Sequence, residues 1–248
     1  MNLGSAKIDA VTFDFYNTLV YHRQGRGRGA LLMEYFKREG LQSDPWEHQV
    51  LYDIFEHHGS DYSPSQSGAE KQRYFLRLTN RLFQRLKVRA PDGAAADHAA
   101  SVWSVLGPSS LAVFPDVCNV LRVLRAARYR LAVVSNWQCG LRHFCTELGF
   151  GEAFDDVIVS AEVGYEKPNA EIFAEACSRV GVPSHRVLHV GDSLTDDVEG
   201  ARAAGLHALL VRRDQEGSMG DTPTIPSLEL LPQLLGLRRA ASGQARAT

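Results

Sequence analysis

Short runs of apolar and β-branched residues recur along the chain, separated by longer polar and mixed segments. The runs are Ile8–Phe15, Arg130–Val134, Asp156–Val159, Arg186–Val190 and His207–Val211. Runs of this length and composition, bounded by turn residues, are typical of buried strands. The pattern therefore predicts five strands, the first of which ends in a turn at Asn17 and Thr18.

The segments between the later strands have a helical pattern, with apolar residues spaced three and four apart. Ala170–Val180 shows it clearly, because Ile172, Phe173 and Ala176 fall on one face. Val117–Ala127 and Leu141–Leu148 follow the same pattern. Strands that alternate with helices of this length form βαβ units. The predicted fold class is α/β, a Rossmann-like parallel sheet core with helices on both faces.

The segment between the first two predicted strands differs, because no convincing strand pattern appears from Tyr21 to Gly107. Its helical stretches are Ala30–Arg38, Pro45–His57, Glu70–Leu86 and Ala94–Leu106. Glu70–Leu86 carries an apolar stripe opposite a basic one, which indicates a core face and a solvated face. We predict an all-helical cap domain at residues 21–110, inserted into a core made of residues 1–20 and 111–235. Residues 236–248 are polar and small, and we expect a disordered tail.

The composition of the chain limits the kinds of partner that it can be expected to bind. The formal net charge is -2, so no basic excess favours nucleic acid or an anionic membrane. No apolar run approaches the roughly 20 residues of a membrane helix, and the four cysteines have neither zinc nor disulfide spacing. We expect a cytoplasmic protein with free thiols. Arg23, Arg26 and Arg28, interleaved with glycines, suit either a solvated loop or contact with an anionic substrate.

Polar residues with chemical potential follow the predicted strands. Asp14 ends the first strand, Ser135 and Asn136 follow the second, Lys167 comes after the third, and Asp192 follows the fourth. Ligands of open parallel sheets bind at the carboxyl ends of the strands, where the order of connections reverses. The sequence therefore predicts that these separated segments converge on one crevice.

This set of residues suits chemistry on an anion. A carboxylate such as Asp14 can act as a nucleophile, and Asp14 with Asp192 supplies the hard oxygen ligands that Mg2+ prefers. Lys167 adds positive charge, and Ser135 can donate a hydrogen bond to the same anionic oxygens. Each residue also has a structural explanation by itself, for example helix capping by the Ser135-Asn136 pair. Their order and combination are much more specific.

In that order and combination, the residues resemble the four signature motifs of the haloacid dehalogenase superfamily. The matching segments are FDFYNTL from Phe13, VVSN from Val133, YEKPNAEIF from Tyr165 and HVGDSLTDDVEGARAAG from His189. The position of the predicted insertion resembles the branch of the superfamily with a helical cap after motif one. The resemblance implies that Asp14 is the nucleophile, that Thr18 and Ser135 donate to a phosphate, and that Lys167 is the neutralising lysine. Asn136, in motif two, is a further catalytic candidate.

The resemblance also implies a Mg2+ site. Its ligands are the carboxylates of Asp14, Asp192 and Asp197 and the backbone carbonyl of Tyr16. Asp196 is the alternative to Asp197, because members of the superfamily place the second acid at either spacing. Asp196 and Asp197 also begin a predicted helix, where acidic residues suit the helix dipole.

Tyr16 departs from the phosphatase pattern, in which an Asp two residues after the nucleophile serves as general acid and base. Proton transfer by a placed side chain contributes about 10²–10⁴-fold, and a tyrosine with a pKa of about 10 replaces it poorly at neutral pH. We therefore expect slow turnover of phosphate esters with poor leaving groups.

Three interpretations follow. The first is a Mg2+-dependent hydrolase of a small anionic substrate, most simply a phosphorylated metabolite, because the acids of the fourth motif are present. The second is a metal-independent 2-haloacid dehalogenase, a class that resembles this chain at Tyr16 but carries a Ser/Asn-type fourth motif where this chain has Asp192. The third is a binding or regulatory protein that lacks its acid/base.

Overall fold

The structure is a computed structural model that describes residues 7–45, 68–91, 93–137, 140–213 and 222–237. Its strands are β1 (Ala10–Phe13), β2 (Val20–His22), β3 (Leu111–Val113), β4 (Arg130–Ser135), β5 (Asp156–Val159), β6 (Val187–Gly191), β7 (His207–Val211) and β8 (Thr224–Ile225). Six of them form one sheet in the order β5-β4-β1-β6-β7-β8, and every neighbouring pair is parallel. The α/β class predicted from the alternating pattern is thereby confirmed.

The helices of the described residues flank this sheet or lie in the insertion after β1. They are α1 (Arg28–Arg38), α2 (Gly68–Arg85), α3 (Ala94–Leu106), α4 (Val117–Ala126), α5 (Leu141–Glu147), α6 (Ser160–Val163), α7 (Ala170–Val180), α8 (Gly200–Ala203) and α9 (Leu231–Leu234). A π-helical segment, Leu194–Glu199, precedes α8. Short 3-10 turns occur at Pro108–Ser110, Gly151–Ala153, Ser184–Arg186 and Leu228–Leu230.

The sheet separates two apolar clusters, as alternation along its strands requires. On β1, Val11 and Phe13 belong to the cluster beside α4 and α5. Ala10, from the same strand, belongs to the cluster that contains Phe173 of α7. All four residues are fully buried. A strand buried on both faces explains why the sequence shows an apolar run there instead of strict alternation.

The predicted strands are all present. Asp156–Val159 and His207–Val211 have the predicted bounds, whereas the first strand covers only the middle of Ile8–Phe15. Three helices of the insertion, α1, α2 and α3, occur where helical stretches were predicted and share an apolar cluster of their own. The predicted helix at Pro45–His57 lies almost wholly outside the described residues, and residues 238–248 of the predicted tail lie outside them as well.

The connection between the insertion and the sheet contains a strand pair that the sequence analysis missed. β2 and β3 pair antiparallel, with Tyr21 opposite Ala112. The chain therefore leaves and re-enters the core side by side, and β2 crosses the predicted boundary between residues 20 and 21. Strands of three residues are too short to show a period of two. The domain boundaries themselves stay predictions.

Gly200 sets how closely α8 approaches the loop after α6. A Cβ atom at Gly200 would lie 2.9 Å from both the Cα and the carbonyl oxygen of Pro168. These are backbone atoms, so the contact could be relieved only by moving α8 or the loop that carries Lys167.

We expect Gly200→Ala to lower the free energy of unfolding by about 1–3 kcal/mol, the usual range for overpacking. Urea unfolding followed by circular dichroism measures it. Gly27→Ala is the matched control, because a Cβ at Gly27 has nothing within 4 Å, and a change within about 0.5 kcal/mol is expected there. Equal unfolding midpoints for the two variants would contradict the packing argument.

Candidate active site

A cleft lies at the carboxyl end of β1, between its neighbours β4 and β6. The chain runs outward from β1 through β4 to β5 and then returns to the other side of β1 with β6. This is the switch point at which open parallel sheets bind ligands. The cleft has a volume of about 280 Å³, and its lining includes residues from after β1, β4, α6 and β6. The four sequence segments therefore converge as predicted.

Lys167 occupies the centre of the cleft floor and is only 4% exposed. Its Nζ donates to Oδ1 of Asp14 at 2.7 Å and to Oδ1 of Asp197 at 2.5 Å. Ser135 Oγ donates to the same oxygen of Asp14 at 3.2 Å. One ammonium group thus joins two carboxylates, from the ends of β1 and β6, and fixes the orientation of both.

The charged groups in this cluster shift one another's pKa values. Burial alone would lower the pKa of Lys167, but Asp14 and Asp197 outweigh it and hold that pKa above its ordinary value. Burial would raise the pKa of Asp197, but Lys167 and His189 hold it well below the usual range. The pKa of Asp14 is raised, because burial and the charge of Asp197 outweigh the attraction of Lys167. The lysine is therefore charged at neutral pH, and its charge is divided between two anions.

Asp192 adds a third carboxylate. Oxygens of Asp14, Asp192 and Asp197 lie within 4.8 Å of one another. Burial, followed by the charges of Asp14 and Asp197, raises the pKa of Asp192 to about 7. Three carboxylates face one ammonium, so the cluster has an excess of negative charge. An all-oxygen donor set with that excess fits a hard divalent cation such as Mg2+.

The geometry distinguishes Asp197 from Asp196. Asp197 is 1% exposed and accepts from the backbone amide of Ser193 at 2.9 Å. The amides of Asp197 and Val198 both bond to the carbonyl of Ser193, which is the π-helical widening. Asp196 is only half-buried and lies on the rim of the cleft. Of the two acids, Asp197 is therefore the one that joins the carboxylate cluster.

Gly191 makes room for this arrangement. A Cβ atom at Gly191 would lie 2.1 Å from Cγ of Asp197. The last residue of β6 consequently must lack a side chain if the carboxylate of Asp197 is to reach Lys167.

Asn136 positions the loop that carries the lysine. Its Nδ2 donates to the carbonyl of Lys167 at 2.9 Å, and its Oδ1 accepts from the amide of Lys167 at 2.7 Å. Asn136 was predicted as a catalytic candidate, and both ends of its amide are directed at the lysine backbone.

Tyr16 lines the cleft and packs against Trp137, with ring centroids 6.1 Å apart and an interplanar angle of 30°. The guanidinium of Arg28, from the insertion, lies 4.5 Å from the centroid of the same Trp137 ring. Arg28 also donates to the carbonyl of Leu106. The insertion and the core therefore meet beside the cleft through the cation–π contact between Arg28 and Trp137.

The other two arginines of the cluster have local partners. Arg23 donates to the carbonyl of Ser109, and Arg26 forms an exposed ion pair with Glu34. Of the two interpretations of this cluster, the solvated loop therefore suits Arg26. Arg28, by contrast, lies against a residue of the cleft lining.

Thr18 is placed differently from the other predicted site residues. It is fully buried, and its hydroxyl has no hydrogen-bond partner among the described residues. Its backbone carbonyl accepts from Arg213 at 2.6 Å. Its role as a phosphate-side donor stays a prediction.

Two residues of the site were not singled out from the sequence. His189 is fully buried; its Nε2 lies 3.1 Å from Oδ1 of Asp197, and its Nδ1 lies 2.9 Å from Oγ1 of Thr12. Because an ionised carboxylate only accepts, Nε2 carries a proton and donates to Asp197. Asn17, with a φ of 60°, lines the cleft together with Asp192. A histidine inside an apolar strand was the available signal for His189.

Residues 8–205 match the family of haloacid dehalogenase-like hydrolases. The chain belongs to this family. The resemblance of its four motifs is thereby confirmed, and the chain is a hydrolase of this superfamily.

Named relatives and solved structures agree with this assignment. A glyceraldehyde 3-phosphate phosphatase from Methanothermobacter thermautotrophicus is 33% identical over 156 residues, 60% of this chain and 65% of that protein. One from Methanopyrus kandleri is 29% identical over 186 residues, 73% of each chain. The match thus spans about two thirds of the first relative's length.

Two crystal structures show the same fold. A HAD phosphatase from Thermococcus onnurineus has a TM-score of 0.61 at 23% identity and covers 94% of this chain and 100% of that one. A 2-haloacid dehalogenase from Pseudomonas syringae pv. Tomato has a TM-score of 0.60 at 24% identity, covering 92% and 98%. The fold is therefore shared by a phosphatase and a dehalogenase, so only the residues of the site can distinguish between these two activities.

Two predictions from composition concerned membrane-spanning helices and cysteines. No helix among the described residues is long and apolar enough to cross a membrane. Cys118, Cys145 and Cys177 are free thiols, and burial raises the pKa of Cys145 to about 12. Cys139 lies outside the described residues.

We expect Lys167→Met to lower the free energy of unfolding by about 3–5 kcal/mol at pH 8, because it leaves buried carboxylates without their cation. Burial already raises the pKa of Asp14 in the folded state. A raised pKa means that the proton favours the folded state, so the deficit should shrink between pH 8 and pH 5.

Urea unfolding at both pH values, with a chelator present, measures this effect. The matched control is the double variant Asp14→Asn/Lys167→Met, which removes one of the stranded charges and should recover part of the loss. A deficit that is independent of pH and unchanged in the double variant would show that the charges are not its cause.

Proposed function

We propose that this chain is a Mg2+-dependent phosphatase that acts on a small phosphorylated metabolite through a covalent intermediate on Asp14. The observation that carries the proposal is the cluster of Asp14, Asp192 and Asp197, whose oxygens lie within 4.8 Å of one another. Asp14 and Lys167 are in contact at the base of the cleft, so a nucleophile and a cation for the transferred group already lie together.

The charge balance favours a phosphatase over a metal-independent dehalogenase. Burial, followed by the charges of Asp14 and Asp197, raises the pKa of Asp192 to about 7. A metal-free reaction leaves that charge uncompensated, and nothing in halide displacement makes use of it. A divalent cation compensates it and also reduces the repulsion between Asp14 and an incoming phosphate.

The proposed reaction has two displacements. A carboxylate oxygen of Asp14 attacks phosphorus, and the bond between phosphorus and the ester oxygen breaks, which leaves an aspartyl phosphate and the leaving alcohol. Water then attacks the phosphorus, returns the Asp14 carboxylate and releases inorganic phosphate. Lys167 and Ser135 hold Asp14 in one orientation throughout, and Lys167 binds the developing negative charge.

The proton of the leaving group comes from solvent in this scheme. Tyr16 stands where the phosphatases of the family have a carboxylic acid, and its ring packs against Trp137. A phenol with a pKa of about 10 is a weak proton donor at neutral pH. Esters of acidic alcohols should therefore react faster than alkyl phosphates.

A small substrate fits the cleft. A volume of about 280 Å³ is at the low end of ligand pockets, and two relatives carry the name glyceraldehyde 3-phosphate phosphatase. Sugar phosphates of three carbons are accordingly the first metabolites to test. In this proposal the substrate is free in the cytoplasm, and neither nucleic acid nor a membrane takes part.

The primary test is hydrolysis of an aryl phosphate with Mg2+ and with a chelator, beside halide release from 2-chloropropionate. We expect phosphate release that needs Mg2+ and that Asp14→Asn reduces by about 10³-fold or more, since the nucleophile is lost. Circular dichroism and urea unfolding establish that this variant is folded. Halide release without metal would instead establish the dehalogenase, which Tyr16 alone favours. Inactivity in both assays would favour a binding role.

Tyr16→Asp should restore a proton donor. We expect a gain of about 10-fold or more on an alkyl phosphate, within the 10²–10⁴-fold range of general acid catalysis, and little gain on an aryl phosphate. Tyr16→Asn is the matched control, because it loses the same ring contact with Trp137 but cannot give a proton. If the two variants have the same rates at every pH, the missing acid is not what limits this enzyme.

A further inference from the structure

A buried ion pair lies where the chain enters and leaves the helical insertion. Nη1 of Arg213, just after β7, lies 3.1 and 3.0 Å from the two carboxylate oxygens of Asp116. Asp116 also accepts from Ser227 Oγ at 2.7 Å and from the amide of Leu228 at 2.8 Å. Burial would raise the pKa of Asp116, but Arg213 and Ser227 hold it below its usual range. Asp116 is therefore ionised at neutral pH.

The other side of the guanidinium binds the loop after the nucleophile. Nη2 of Arg213 donates to the carbonyl of Thr18 at 2.6 Å, and Nε donates to the same oxygen at 3.2 Å. Thr18 ends the turn that carries Tyr16 and Asn17 into the cleft. That turn is closed by the amide of Asn17, which donates to the carbonyl of Val20 at 2.7 Å.

These two contacts hold both crossings between the core and the insertion. Thr18 precedes β2, the outgoing strand, and Asp116 follows β3, the returning strand. The amide of Phe114 donates to the carbonyl of Leu19 at 3.0 Å. The Phe114 ring lies under the guanidinium, with Cζ of Arg213 at 3.7 Å from its centroid. The guanidinium of Arg213 thus lies at the base of the β2–β3 pair.

An arginine suits this position for geometric reasons. Its planar fork can place Nε and Nη2 on one carbonyl while Nη1 binds a carboxylate, whereas a lysine ammonium is a point charge on a flexible stem. Asp116 already has Ser227 and Leu228 as neutral donors. The bonds to Thr18 add nothing to the neutralisation of Asp116, but they do locate the turn beside the nucleophile.

We propose that Arg213 is a positioning residue of the active site: held by Asp116, it fixes the turn of residues 16–18 next to Asp14 and the base of the insertion. This inference rests on the phosphatase activity proposed above. Arg213 acts through two neighbours in the turn, because Tyr16 and Asn17 both line the cleft together with Asp14 and Asp192. A shift of the turn consequently displaces two residues that line the cleft with the carboxylate cluster.

The chain offers a matched control at the opposite end of the sheet. Asp155 pairs with Arg125 and Arg130, each at 2.9 Å, and accepts from the amide of Leu131 at 2.8 Å. Asp155 lies beside the amino ends of β4 and β5, away from the cleft. It is therefore a carboxylate of the same kind, with arginine and backbone partners but no contact with the turn after β1.

The test compares Arg213→Met and Asp116→Asn with Arg130→Met and Asp155→Asn. We expect Arg213→Met to lower kcat for aryl phosphate by about 10- to 100-fold per folded molecule, as small misplacements near reacting groups do. KM should change by less than about threefold, because the groups that bind phosphate are retained. Asp116→Asn should lower kcat less, and the two control variants should lower only the unfolding midpoint. Arg213→Lys should not restore kcat.

Amide hydrogen exchange provides a readout that needs no activity. The amides of Leu19 and Val20 both bond to the carbonyl of Phe15, at 2.9 and 3.1 Å, and close the turn. Arg213→Met should speed their exchange more than that of the β4 amides, whereas Arg130→Met should not.

The outcomes separate this inference from the proposed function. If the wild-type protein hydrolyses no phosphate, exchange at Leu19 and Val20 still decides whether Arg213 holds the turn. If the wild type is active and folded Arg213→Met retains its kcat, the positioning role is overturned while the phosphatase stands. Unchanged exchange at Leu19 and Val20 would also overturn it.

Discussion

The ammonium group of Lys167 is the interaction on which the site depends. It lies between Asp14 at the end of β1 and Asp197 after β6, with almost no access to solvent. Two buried carboxylates this close repel each other strongly unless a cation is shared between them. The carboxyl ends of β1 and β6 can therefore meet with ionised groups only because the loop after α6 delivers a lysine from a third part of the chain. The side chain of Asn136 holds that loop by bonding to both the backbone amide and the backbone carbonyl of Lys167.

The same cluster is left short of positive charge once Asp192 is counted. Burial, followed by the charges of Asp14 and Asp197, raises the pKa of Asp192 to about 7. Such a group lowers stability, and it persists in folded proteins mainly where function uses it. The three carboxylates of this cluster could hold a hard divalent cation. The Mg2+ requirement proposed above and the raised pKa of Asp192 both reflect three carboxylates gathered in one buried cluster.

Trp137 contacts both Tyr16 and the insertion. Tyr16, two positions after Asp14, packs against Trp137, and Arg28 of the insertion lies over the same Trp137 ring. The insertion therefore reaches the cleft through the ring next to motif two.

The local pattern of apolar and polar residues determined many of the strands and helices of this protein. The apolar runs specify β5 and β7 to the residue, and the three- and four-residue spacing specifies α3 and α7, because burial on a strand or helix imposes a period that the sequence must carry. The order of Asp14, Ser135, Lys167 and Asp192 along the chain identifies the family for a similar reason, since each follows its own strand.

Only the tertiary structure decided the contacts between distant segments. Asp197 joins the cluster and Asp196 does not, because a π-helical turn and the bare Cα of Gly191 direct one of two adjacent acids inward. The β2–β3 pair is too short for a period, and Arg213 meets Asp116 and Thr18 across separations that no local pattern records. Periodicity reports whether a side chain is buried, whereas its partner is set by how the sheet brings remote strand ends together.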